Sequence, residues 1–142
     1  MATCYHCNNQ FKDEQAICNK CGKANVVFKQ MDDGTINTAW VRLKIMQEQL
    51  RFAIEHNSKG EEFEKAGVID KAIKEYELVV ESEIGPGFPY ERLRIIYTKQ
   101  KNYIEAIRVC ELYKRGASQY GVQLMDEHID KLRKKIIKLK NP

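Results

Sequence analysis

Four of the five cysteines fall within the first 21 residues, as Cys4-x2-Cys7 and Cys18-x2-Cys21 with ten residues between the pairs. No other feature of the chain constrains its fold as tightly. A two-residue spacer lets both sulfurs of one turn reach a single ion, and two such turns complete the tetrahedron of thiolates that structural Zn²⁺ prefers. A chain turning around an ion needs a residue that tolerates positive φ just after the second cysteine of each pair, and Asn8 and Gly22 stand there. Gln10-Phe11 and Ala16-Ile17 are expected to form two short strands around the polar tip Lys12-Asp13-Glu14-Gln15, with Val26-Val27-Phe28 as a closing strand. A hairpin of that size has no core of its own, so metal ligation has to stabilise it.

Disulfide pairing of the same cysteines belongs to exported domains, whereas Met1-Ala2-Thr3-Cys4 has neither a basic region nor an apolar run. Reduced thiols in a cytoplasmic setting are therefore expected. A redox-active CxxC normally follows a strand and opens a helix in an α/β unit, and no such unit surrounds these pairs. With four protein ligands no coordination position is left open for catalysis. His6 is read as spacer within the first turn. Cys4, Cys7, Cys18 and Cys21 with their turn residues resemble a zinc ribbon, which implies a structural Zn²⁺ as the cofactor.

The formal net charge is +4, and four thiolates with one divalent ion bring it to about +2. Residues 1–34 hold Lys12, Lys20, Lys23 and Lys29 against Asp13, Glu14, Asp32 and Asp33, so the metallated segment carries about −2. Gripping nucleic acid takes cations to neutralise phosphates, and this segment is poorly equipped for it. There is no run of about 18 apolar residues, so a membrane is not expected as a partner.

After the turn and linker Met31-Asp32-Asp33-Gly34-Thr35, residues 35–142 read as helix. From Thr38, a good N-cap, Trp40, Leu43, Met46, Leu50 and Ala53 or Ile54 recur at three and four residues, the pattern of an amphipathic helix. Whether that helix continues through Asn57-Ser58-Lys59-Gly60 to Ala66 is open on sequence alone. Gly67-x4-Ala72-Ile73-x2-Tyr76 and Lys101-x4-Ala106-Ile107-x2-Cys110 then align at a spacing of 34 residues, the period of a helix-turn-helix solenoid unit. Small residues at Ala72 and Ala106 suit a close crossing with the paired helix. Gly85-Pro86-Gly87 breaks the helix between units and Pro89 suits the first turn of the next.

Over residues 56–116 the chain resembles the tetratricopeptide repeat family. Tyr90, Leu93, Tyr97, Tyr103, Ala106 and Cys110 match its packing positions in the second unit, and Gly60, Phe63, Gly67, Ile69, Ala72 and Tyr76 match in the first. His56 and Lys59 depart from it where large apolar residues are expected, and the family's usual proline is replaced by Ile84. The resemblance implies a mainly α fold, a small N-terminal β zinc ribbon (1–34) followed by a TPR-like α-solenoid of helical hairpins (35–142), with repeats at about 53–86 and 87–120 between capping helices. It also implies a groove lined by the first helix of each hairpin: Asn57, Glu61, Glu64 and Lys65, then Glu91, Arg92, Ile95 and Lys99. The lysine-asparagine clamp by which some relatives hold a chaperone's C-terminus is not reproduced, with only Arg92 in a matching place.

Val122, Met125, Ile129, Leu132, Ile136 and Leu139 follow a heptad spacing, which makes a last helix that caps the stack or supports self-association. Cys110 is read as a buried apolar thiol. His56 and His128 have no cysteine or second histidine one helical turn away, and no phosphate loop, nucleophile elbow or HExxH motif is present. The expectation is a non-enzymatic module that binds a peptide or helix of a protein partner. The alternative is a nucleic-acid-associated regulator using the ribbon and the basic run Lys131, Arg133, Lys134, Lys135, Lys138 and Lys140, although the acids Asp126, Glu127 and Asp130 before it make that helix better suited to a solvated face.

Overall fold

A computed structural model describes residues 2–12, 15–24, 38–83 and 87–141. The proposed closing strand at 26–28, the linker at 31–35, the ribbon boundary at residue 34, the acidic tip at 13–14, Ile84 to Pro86 and the side chains of Thr38 and Trp40 lie outside the described residues. The fold is mainly helical with a small N-terminal β element, in the order β1 (Ala2–Thr3), β2 (Gln10–Phe11), α1 (Thr38–Lys65), α2 (Ile69–Glu81), α3 (Phe88–Lys99), α4 (Tyr103–Lys114) and α5 (Gln119–Lys140). α1 is continuous through Asn57 to Lys65.

Each helix packs on the next along the chain, α1 on α2, α2 on α3, α3 on α4 and α4 on α5. The main core runs through α2 to α5 and contains Ala72, Tyr76, Leu93, Tyr97, Ala106, Val109, Cys110, Met125, Ile129 and Leu132. Ala72 and Ala106 are wholly buried, as their size requires for close helix approach. Gly60, inside α1, lies against the Tyr76 ring so closely that any Cβ would collide with it. Of the C-terminal heptad residues, Met125, Ile129 and Leu132 are spent on this core, while Leu139 is exposed. Three of the six residues of the expected stripe are thus internal packing.

The turn between paired helices repeats at the same offset of 34 residues as the sequence. Val68 N–H donates to Phe63 O at 2.9 Å and Gly67 N–H to Glu64 O at 3.0 Å; in the second turn Asn102 N–H donates to Tyr97 O at 2.8 Å and Lys101 N–H to Thr98 O at 3.0 Å. These are the paired bonds of a Schellman-type helix end, which puts the residue after the cap in the left-handed region. Gly67 has φ 76° and Lys101 φ 59°, so the second turn makes with lysine what the first makes with glycine. Asn102 then caps α4 by accepting from Glu105 N–H.

Two ionic triads each join three consecutive helices. Glu64 of α1 accepts from Tyr76 Oη of α2 at 2.7 Å and from Arg92 of α3 through Nε at 3.0 Å and Nη2 at 2.5 Å. One helix further on, Glu77 of α2 accepts from Tyr97 Oη of α3 at 2.7 Å and from Arg108 of α4, whose Nε also reaches Glu105 at 2.8 Å. A bidentate guanidinium on a largely buried carboxylate is among the stronger polar contacts available to a small domain.

Of the amphipathic row expected in α1, Leu43, Met46 and Leu50 are exposed; of the two alternatives at its end Ala53 is buried and Ile54 exposed, and the other buried side chains include Val41, Phe52 and His56. The helix has two apolar faces, and the one occupied by α2 and the N-terminal module is not the more regular of the two.

Two outcomes follow from these contacts. Substituting Gly67 with alanine places a Cβ at positive φ with nothing nearby to contact, and a loss of about 1 kcal/mol is expected in urea unfolding, whereas Lys101→Gly removes that strain and gains about 0.5 kcal/mol or more. The Arg92 hydrogen bonds hold the Glu64 carboxyl below its ordinary value of 4.5, opposed by desolvation and aided by Tyr76. A carboxyl lowered in the folded state stabilises fully above its ordinary value and ceases to do so as pH falls through the depressed one. Stability measured by thermal unfolding is therefore expected to fall below pH 4.5, and Glu64→Gln flattens that dependence while lowering stability at neutral pH.

Candidate metal centre

The two cysteine turns are built on one backbone pattern offset by 14 residues. Cys4 N–H donates to Asn9 O at 2.9 Å and Asn8 N–H to Cys4 O at 3.0 Å; Cys18 N–H donates to Lys23 O at 3.0 Å and Gly22 N–H to Cys18 O at 2.8 Å. Asn8 (φ 58°) and Gly22 (φ 72°) take the left-handed conformation the spacing predicts. Because each turn reverses the chain by itself, Gln10–Phe11 pairs antiparallel with Ala2–Thr3 and Ile17 bridges Ala24. The expected pairing of Gln10-Phe11 with Ala16-Ile17 is therefore corrected to two small hairpins, one around each cysteine pair.

This geometry brings Cys4, Cys7, Cys18 and Cys21 together with all four sulfurs within 4.8 Å of one another. Cys4 Sγ lies 3.6 Å from Cys21 Sγ and Cys7 Sγ 3.7 Å from Cys18 Sγ. An ion with four sulfur bonds of about 2.3 Å has tetrahedral edges of about 3.8 Å, so the residues present fit it. His6 N–H and Lys20 N–H, at matching places in the two turns, each point at the first sulfur of their own pair at 3.4 Å. Such donors stabilise thiolate charge. Cys4 and Cys18 are buried beside Phe11. Burial pushes the metal-free Cys21 thiol up to about 12, so an ion that binds here displaces protons and supplies the positive charge that reverses this preference. His6 contributes its backbone only, among the described contacts.

The cysteine module is joined to the helical stack through residues next to its ligands. Glu48 of α1 accepts from Ala16 N–H at 2.5 Å and from Ile17 N–H at 2.9 Å. Ile17, preceding Cys18, is buried in a cluster with Phe52 and Ala53 of α1 and Val79 of α2. Gly22, following Cys21, approaches the Phe52 ring so closely that an added Cβ would sit 2.6 Å from it. The Phe52 ring also packs on His56, with centroids 4.3 Å apart, and His56 Nδ1 lies 2.5 Å from Glu75 Oε2 of α2. His56 is thus a buried polar link between α1 and α2.

Of the expected groove residues, Glu61, Glu64 and Lys65 of α1 meet Arg92 of α3 and the ring of Phe88 around a cavity of about 240 Å³. Glu64 and Arg92 are already bound to each other there. Asn57, Glu91, Ile95 and Lys99 do not line it; Glu91 and Lys99 are exposed, Ile95 is half-buried, and the Asn57 Oδ1 is buried without a hydrogen-bond partner. Glu48 and Phe52 carry no motif that marks them in the sequence, because their role is fixed by a partner surface remote in the chain. Cys110 is buried, and desolvation raises its thiol to about 11, consistent with an inert core position. The basic residues of α5 from Lys131 to Lys140 are all exposed.

Compared with family models, with characterised proteins and with solved structures, the chain matches none. Among the described residues no helix is long and apolar enough to cross a membrane.

The docking contacts predict a clear experimental signature. In the metal-loaded chain the Ala16 and Ile17 amides exchange slowly with solvent. Chelation abolishes that protection, and Glu48→Ala reduces it by at least about tenfold, equivalent to losing roughly 1.5 kcal/mol or more from charge-assisted hydrogen bonds, without lowering metal content.

Proposed function

We propose that the chain is a non-catalytic interaction module in which a structural Zn²⁺, held by Cys4, Cys7, Cys18 and Cys21, fixes an N-terminal ribbon against a TPR-like helical stack that receives a peptide or helix of a protein partner. Zinc is favoured among divalent ions by the all-thiolate set and the tetrahedral edges, and such a site suits a reducing compartment. The observation that carries the partner reading is the cavity of about 240 Å³ between α1 and α3, where Glu61, Lys65 and Phe88 face solvent beside the Glu64–Arg92 pair. It lies on the first helix of each hairpin, about 13 Å along α1 from the ribbon contact at Phe52. Ribbon and receiving face then occupy separate stretches of one helix.

Amide shift mapping of the metal-loaded chain against a panel of short amphipathic and extended peptides tests this reading. At least one class is expected to move the amides of 61–65 and 88–92 in a saturable way, and Lys65→Glu, at an exposed position on the cavity, weakens that response. A folded, metal-loaded sample that responds to none of them contradicts it. The second reading draws on the exposed lysines and arginine at the end of α5; it requires binding to a nucleic-acid probe that weakens steeply with salt.

A further inference from the structure

The outer face of α1 narrows the kind of partner. Leu43, Met46, Leu50 and Ile54 stand at i, i+3, i+7 and i+11 and are 50, 60, 57 and 58 % exposed. Scattered apolar side chains on a surface are ordinary, but a contiguous row over three turns of a small chain is the kind of patch that marks an interaction site. It is not the rim of the core, because the opposite side of the helix, at Val41, Phe52 and Ala53, is the side that is buried.

The charges at the edges of the row are mainly basic. Arg42 and Arg51 are exposed, Lys44 is half-buried, and Gln47 and Gln49 carry no charge. The acids between positions 42 and 55 are Glu48, whose carboxylate is engaged by the Ala16 and Ile17 amides, and the exposed Glu55, which is paired with Lys59 at 2.9 Å. A second copy of the chain fits this surface poorly, since an antiparallel two-fold pairing brings each edge, Arg42 on one side and Lys44 with Arg51 on the other, against the same edge of its copy. What is complementary is a helix whose apolar residues recur at three and four positions and whose edges carry Asp and Glu. Seven residues beyond Ile54 the same face of α1 reaches Glu61, at the cavity shared with Phe88 and Arg92.

We propose that α1 is a docking rail for an acidic-edged amphipathic helix, laid lengthwise over Leu43, Met46, Leu50 and Ile54 and ending at the Glu61 cavity. The proposal rests on the partner-binding reading above and names the chemistry of that partner.

Its test uses two fluorescein-labelled amphipathic peptides of about five helical turns, alike in their Leu and Met face and carrying either Glu or Lys along both edges. Anisotropy titrations against the full metal-loaded chain are expected to show the Glu-edged peptide binding at least about tenfold more tightly, with affinity falling as salt rises. Leu50→Glu, at an exposed position, weakens it by about tenfold or more, and the double variant Arg42→Glu, Arg51→Glu inverts the preference between peptides. Met46→Glu serves as an independent second variant, with circular dichroism confirming that each keeps its helix content. Equal affinity for the two peptides, no binding of either, or binding indifferent to both Leu50→Glu and Met46→Glu overturns the rail. Loss of binding on Lys65→Glu with full binding in Leu50→Glu keeps the groove and overturns the rail. A dimer seen by sedimentation that Leu50→Glu dissolves assigns the row to a second copy and likewise overturns it.

Discussion

Four thiol sulfurs held within 4.8 Å of one another are the constraint on which the N-terminal module depends. As thiolates without a cation they repel strongly, and as thiols they make only weak hydrogen bonds, so neither form supplies enough free energy to order two turns with almost no apolar core. A divalent ion would do so in one step, because its binding free energy would also be folding free energy for the loops that carry its ligands. Everything else in that module is local and repeats: the same two backbone hydrogen bonds, the same left-handed residue and the same N–H directed at sulfur, once for each cysteine pair.

The order imposed there is transmitted to the helices because the anchoring residues are neighbours of the ligands. Ile17 and Gly22 flank Cys18 and Cys21, and both rest on Phe52. Glu48 adds two hydrogen bonds to backbone amides that a loop of this kind otherwise leaves to water. The helical stack has its own continuity, from Gly60 against Tyr76 through the Glu64 and Glu77 triads to the α4–α5 core. The cysteine module therefore adds a covering to one face of a stack whose main core lies elsewhere.

The parts legible in the sequence were those governed by local geometry. Cysteine spacing predicts that four sulfurs converge, residue type predicts positive φ at Asn8 and Gly22, and the 34-residue offset predicts helix pairs whose turns match bond for bond, even where Lys101 replaces glycine. The failures lie where the answer depends on distant surfaces. Gln10-Phe11 has strand character, but the knuckle turn gives it Ala2–Thr3 as partner. Leu43, Met46 and Leu50 have the regular apolar spacing of an amphipathic helix, yet Phe52 and Ala53, the latter one of the two alternatives at the end of that row, are the residues that the cysteine module and α2 cover. Periodicity reports that a helix has an apolar face without saying which of two faces is taken. Glu64 and Arg92 look like free groove charges until the fold sets them opposite each other.

A four-cysteine module seated on one side of α1, an apolar row on another and a small charged cavity further along give this helix three separate surfaces, each with its own chemistry. The first is the one that a metal ion would fix. X-ray absorption at the metal edge of the purified chain measures it directly: a single shell of four sulfurs at about 2.3 Å is expected. A shell dominated by nitrogen or oxygen, or a folded chain with no bound metal, contradicts it.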